Sequence, residues 1–321
     1  MYHRGPHRPL RRRPMSLADR TPPTPAEYER YMERFNNWGR WGENDERGTL
    51  NFITPGAVAA AARLVREGLS VSLSRPLATR AVMPEARNMK PVRRELSIDR
   101  MGCSDSFEID YHGFANTHID ALCHIFTGDG RMFGGHASSA VQPGGARRNA
   151  VDAWRDGIVT RGVLYDVPRF RGVPHVPLEE PVHGWELLDI ARAEGITPAT
   201  GDAVVIRAGA EAFWSANPHF ERPWEAPGIH ASVLEFLWET DASLMLWDLM
   251  EAGGQDGYDA PALPIHTVAI PYMGLPLVDN ADLEALSRTC AQLRRHEFQF
   301  VIAPLVVTGG TGSPVNPLAL F

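Results

Sequence analysis

The sequence predicts an α/β fold, a single domain carrying an N-terminal extension. Two observations carry this. Helical and strand-like patterns alternate from about residue 157 to 307 with no internal repeat, and no flexible linker interrupts them. With 44% hydrophobic residues in 321, the chain can also bury a substantial core around an enclosed site.

The elements follow in order. "PAEYERYMERF" (25–35) is a helix candidate, and the Trp-, Gly- and acid-rich stretch after it suggests a structured loop. "GAVAAAARLVREG" (56–68) spaces small and aliphatic residues as a helix does and stops at a glycine. "LSVSLSRPL" alternates apolar and polar residues as a strand does. Strands are then expected at 157–168, 201–209, 242–249 and 297–307, with helices at 184–196, 230–241 and 282–295. "TGGTGSPVNP" (308–317) lacks the Lys-Ser/Thr of a phosphate loop and precedes no helix pattern, so it reads as a turn. The resulting division is a disordered basic tail (1–20), an extension packed on the body (21–64) and the body itself (65–321).

Charge narrows the function classes. Residues 1–20 hold six arginines against the single Asp19, an excess of five, so the formal charge of -7 leaves -12 on the remainder. A body that acidic does not suit nucleic acid. No long apolar run suggests a secretory signal or a membrane span, and a cytoplasmic protein is expected. Cys103, Cys123 and Cys290 form no C-x-x-C pair, and an odd count argues against a disulfide framework. Cys123 is weighed as a nucleophile beside His124 and set aside, because neighbours in a strand point to opposite faces.

The chemistry concentrates in "FANTHIDALCHIF" (114–126). Ionisable groups placed among small apolar residues either satisfy one another by hydrogen bonds or hold a cation. His118 and Asp120, two apart, share a face only in an extended segment. His124 lies about 20 Å beyond His118 along a straight strand, so joint action requires the chain to bend near Asp120. Imidazole with carboxylate is a ligand set for Zn²⁺, Mn²⁺ or Fe²⁺. Further ligands must come from afar, and His112, His230, His266 and Asp279 are candidates, each beside a Gly/Pro-bounded turn.

With Thr117, His118, Asp120 and His124 the chain resembles the cyclase superfamily of kynurenine formamidases and isatin hydrolases, whose motif is H-x-G-T-H-x-D-x-P-x-H. Framing segments "GDAVVIRAG", "LWDL" and "APLVVTGGTGSPVNPLA" extend the likeness over roughly residues 65 to 319. The resemblance implies the swivelling β/β/α fold of that superfamily, a divalent cation (Zn²⁺ or Mn²⁺), and His118 and Asp120 as its ligands. It also implies His124 as general acid/base and further ligands at His266 and, one methylene shorter than the family's Glu, Asp279. Phe114 stands where the family has its first histidine, Asn116 replaces its glycine and Leu122 its proline, which points to one cation rather than two. His112, read as lying on the same strand face, could replace the missing histidine only if the backbone shifts.

The activity implied is metal-assisted hydrolysis of an amide, cyclic amide or lactone in a small, aromatic or cyclic substrate, by a homodimer or larger homo-oligomer. Trp38, Trp41, Phe114 and Phe126 are candidate pocket walls. Two rival readings stand beside it: a polyketide-type cyclase or dehydratase using the same cation, and a catalytically silent binding protein.

Overall fold

The computed structural model describes residues 15–77, 92–220, 222, 225–252 and 263–321. The basic tail over 1–14 lies outside them. Of the segment expected as a disordered tail, Met15–Asp19 is helical and Leu17 is buried against the helix Gly184–Ala193.

Buried strands with period-2 alternation build the body. Its strands are β1 (Ser70–Ser72), β4 (His118–Asp120), β5 (Ile158–Asp166), β6 (Ala203–Arg207), β7 (Leu244–Trp247), β8 (Leu277–Asp279), β9 (Glu297–Ile302), β10 (Gly312–Pro314) and β11 (Leu318–Leu320). Among the described residues these form one nine-stranded sheet in the order β1-β11-β9-β5-β6-β7-β8-β4-β10. The central β5, β6, β7 and β8 are parallel, and the flanking strands pair antiparallel. Ser74, just past β1, bridges Ala281, just past β8, so the sheet curls until its two sides meet. Two further strands, β2 (Arg93–Ile98) and β3 (Cys103–Glu108), make a separate hairpin whose residues are all exposed.

Alternate residues of the central strands enter two cores. Val163, Val204, Ile206 and Trp247 face the helices Gly184–Ala193 and Val233–Glu239, while Leu164, Val205, Leu246 and Val278 face Phe298, Phe300 and the helix Glu284–Leu293. The expected helices and strands of the body therefore form, most of them shorter than the pattern suggested. The last long strand stops at Ile302 because Pro304 offers no N–H to a ladder. The helix expected over 56–68 ends at Ala62, and its missing turn is exposed and buries no apolar face. The candidate at 25–35 divides into Pro25–Glu29, begun by a Thr24/Glu27 capping box, and Tyr31–Arg34. Residues 312–314, read as part of a turn, are a strand paired with β4. No helix of the described residues is long and apolar enough to cross a membrane.

Candidate metal centre

β4 is held on both sides. His118 lies opposite Asp279 of β8 and Pro314 of β10, and Asp120 lies opposite Gly312. All three residues of β4 are buried, so the sheet fixes both ionisable side chains in the interior. Past Asp120 the pairing ends and the chain turns, with the His124 amide donating to the Ala121 carbonyl at 2.9 Å. That turn returns His124, its Nε2 3.8 Å from Asp120 Oδ2.

Four imidazoles surround the Asp120 carboxylate. His112 Nδ1 lies 3.0 Å from Oδ1 and His118 Nε2 3.5 Å from it, while His266 Nε2 and His124 Nε2 lie 3.5 and 3.8 Å from Oδ2. Neither Asp120 oxygen makes a hydrogen bond of good geometry. A carboxylate this buried without satisfied acceptors is costly unless a positive charge stands beside it. Asp279 joins the group from β8: its Oδ2 is 3.2 Å from His266 Nε2 and 3.9 Å from His118 Nε2, and its Oδ1 accepts from Trp247 Nε1 at 2.6 Å. Donor atoms of His118, Asp120 and Asp279, all three buried, lie within 4.8 Å of one another, and so do those of His112, Asp120 and His124. Asp120 belongs to both groups.

The donor chemistry fits a divalent cation. His118 Nδ1 contacts the Asn116 carbonyl at 2.9 Å, which places the proton there and leaves Nε2 as the free lone pair. Burial drives the Asp120 pKa up, but the contacts with the His112 and His266 imidazoles outweigh this and hold it well below the carboxylate range. Burial likewise disfavours charge on His266, yet Glu251 and Asp279 raise its pKa well above the ordinary imidazole value. Without a metal, protonated His266 thus supplies the positive charge these carboxylates require. His124, whose pKa burial lowers to about 4, is neutral at pH 7 and can accept a proton.

The sequence expectations separate here. His112, His118, Asp120, His124, His266 and Asp279 come together. His112 does so from an irregular segment rather than a strand, since β4 begins only at His118 and Gly113 turns the chain with φ 119°. The shift it needed is this loop, and its Nε2 is 3.1 Å from Thr311 Oγ1. His230 stands apart from the cluster: its Nδ1 accepts from the Ser232 amide at 3.0 Å and its ring lies 4.4 Å from that of His183. Phe114 lines a small cavity with Trp214, Met250, Glu251 and Asn280. Phe126 is 40% exposed. Trp38 stacks on Tyr272 and Trp41 meets Phe52 edge-on, so these two rings serve the packing of the N-terminal segment. Cys123 is buried with its thiol pKa pushed up to about 12, which removes it as a nucleophile at neutral pH.

Sequence reasoning missed Glu251, Trp247 and Thr311. Glu251 Oε1 accepts from both the backbone amide and Nδ1 of His266, at 2.9 and 2.6 Å. An acidic residue just beyond a fully buried strand end was the available signal.

The family described as Putative cyclase matches residues 40–252. No curated protein matches the chain. A crystal structure described as a novel cyclase superposes with a TM-score of 0.80 at 26% identity, over 90% of this chain and 99% of that one. Isatin hydrolase A from Ralstonia solanacearum gives 0.54 at 21% identity, over 83% of this chain and 95% of its own. An isatin hydrolase bound to the product analogue thioisatinate gives 0.54 at 16%, over 84% and 99%. The last two share the fold. A family match over well more than half of the sequence places this chain in the cyclase family.

Proposed function

We infer that the protein is a metal-dependent hydrolase that opens an amide, cyclic amide or lactone bond in a small cyclic or aromatic substrate. One observation carries the reading: the buried Asp120 carboxylate, without a hydrogen bond, among four imidazoles and facing the same space as Asp279. His118, Asp120, Asp279 and His266 would hold one divalent cation, Zn²⁺ or Mn²⁺ by donor type. Such a cation would polarise a carbonyl and bring the pKa of bound water down to about 7.

The chain's own groups do the rest. His124, neutral and half-buried at the rim of the cluster, takes a proton at Nε2 as water attacks and returns it to the leaving nitrogen or oxygen. His112, its ring 3.9 Å from that of His124 and parallel to it, restricts His124 to one plane. Phe114, with Trp214, Glu251 and Asn280, lines a cavity that has room for a water molecule only, so a substrate ring would rest on its outer edge. The names of the fold neighbours agree with this: isatin, a cyclic amide fused to an aromatic ring, is the compound for which two of them are named. A soluble homo-oligomer acting on a small molecule, with no nucleic-acid or membrane partner, completes the reading.

The test is metal analysis of the purified protein followed by turnover assays on aryl formamides, cyclic imides and lactones in ¹⁸O-labelled water. Hydrolysis leaves the label in the product. Turnover with no label incorporated would replace hydrolysis by cyclisation or dehydration, and absence of bound Zn²⁺ or Mn²⁺ after loading would overturn the reading.

A further inference from the structure

Glu251 is the buried acid that the reading above leaves without a role. It follows β7, its backbone held beside Ile229 by a parallel bridge, and its side chain is 1% exposed. A single oxygen, Oε1, accepts two hydrogen bonds from one residue, the His266 amide at 2.9 Å and His266 Nδ1 at 2.6 Å. The first bond ties Glu251 to the backbone that carries His266, and the second fixes the ring's rotation. Together they leave the imidazole a single orientation and keep a proton on Nδ1. The opposite nitrogen, Nε2, then points at Asp279 Oδ2 and Asp120 Oδ2, 3.2 and 3.5 Å away.

We propose that Glu251 is a positioning residue for the metal centre: it selects the His266 tautomer whose Nε2 lone pair faces the cation. The inference rests on His266 being a ligand. Holding a ligand histidine through its second nitrogen orients the ring and raises its basicity, and losing such a partner typically costs about 10–100-fold in metal affinity. His266 opens a short helix, His266–Val268, that continues as a π-helix over Ala269–Met273. Such π-helical turns are frequent at functional sites.

The experiment measures Zn²⁺ affinity by chelator competition, and in the Zn²⁺-loaded protein the NMR signal of the His266 Nδ1–H, assigned by its loss in His266→Asn. Glu251→Ala should bind Zn²⁺ about 10–100-fold more weakly. Glu251→Gln, whose amide oxygen still accepts both bonds, should recover most of that loss. In the Gln variant the Nδ1–H resonance should move upfield, because a neutral acceptor bonds more weakly than a carboxylate. If Glu251→Ala does not fold, the Gln variant decides through that resonance, and an unmoved signal overturns the proposal. Unchanged affinity in Glu251→Ala, with a large loss in His266→Ala, also overturns it and leaves the metal reading intact. Unchanged affinity in His266→Ala removes His266 as a ligand, and the proposal falls with it.

Discussion

Gly312 provides a test of the centre that does not alter any of its donors. It lies in β10 opposite Asp120, and a Cβ added there would sit 2.6 Å from the Ile119 carbonyl oxygen, 2.9 Å from His112 Cε1 and 3.2 Å from Tyr111 Cε2. Ordinary contact begins near 3.4 Å, so Gly312→Ala requires β10 to withdraw from β4 by about 0.8 Å, since the Ile119 carbonyl belongs to the backbone and cannot rotate away. Inserting a methyl group into a packed interior costs about 1–3 kcal/mol, and the upper end applies because the nearest obstacle is backbone. Withdrawal of β10 carries away Thr311, the partner of His112 Nε2, so His112 loses its hold beside Asp120 and Zn²⁺ binding should weaken by about tenfold. The assays are guanidinium unfolding of the metal-free protein and chelator competition. Gly144, with nothing within 4 Å of its added Cβ, is the control, and Gly144→Ala should change neither quantity. Stability within about 0.5 kcal/mol of the original and unaltered Zn²⁺ affinity in Gly312→Ala would refute the steric reasoning.

His118→Ala should give soluble protein that retains little Zn²⁺ or Mn²⁺ and has no activity, checked by metal analysis after dialysis; full metal content would place the site elsewhere. His124→Asn should keep its metal and lose about 10²–10⁴-fold in rate, the range for removing a general acid/base; loss of metal along with activity would make His124 a ligand. Burial depresses the pKa of His230 to about 3 and, beside it, that of His183 to about 4, against 6.5 when unfolded. Their contribution to stability is therefore complete above pH 6.5 and is lost as pH falls through 5 towards those values, about 1.5 kcal/mol from His230 between pH 6.5 and 5. Unfolding curves should show a shallower acid slope for His230→Gln over that window, and identical slopes would count against the assignment. Saturating Zn²⁺ at about 100 times its Kd should stabilise the native state by about 2.7 kcal/mol, seen as a thermal shift that EDTA reverses.

Much of the centre was legible because its densest part is local. His118, Asp120 and His124 fall within seven positions, and the demand that they meet already required a strand and a bend. His112 was harder. Its distance from His118 invites a strand register, whereas Gly113 turns the segment and the pairing starts five residues later. Thr311 could not be found from spacing, because it reaches His112 only through the pairing of β10 with β4, and Glu251 stands fifteen residues before His266, a separation that no helical or strand period fixes. The body's strands and helices showed in their periodicity, which continuous burial on both faces imposes. The hairpin of β2 and β3 did not, since a segment exposed throughout carries no such constraint.

The position of β4 also governs when the centre can exist during synthesis. Its neighbours, β8 and β10, are made roughly 160 and 190 residues after it. At about 5–20 residues per second the ribosome needs on the order of 10–40 s to supply both. For that interval His112, His118, Asp120 and His124 can be presented while His266 and Asp279 have not yet been made, so the nascent chain offers four of the six donors and only two of the four proposed ligands. Any cation it captures then is held by the histidine-rich group alone. Arrested chains ending before residue 266 should accordingly bind Zn²⁺ weakly and exchange it freely, and the tight site should appear only once β8 and β10 have closed on β4.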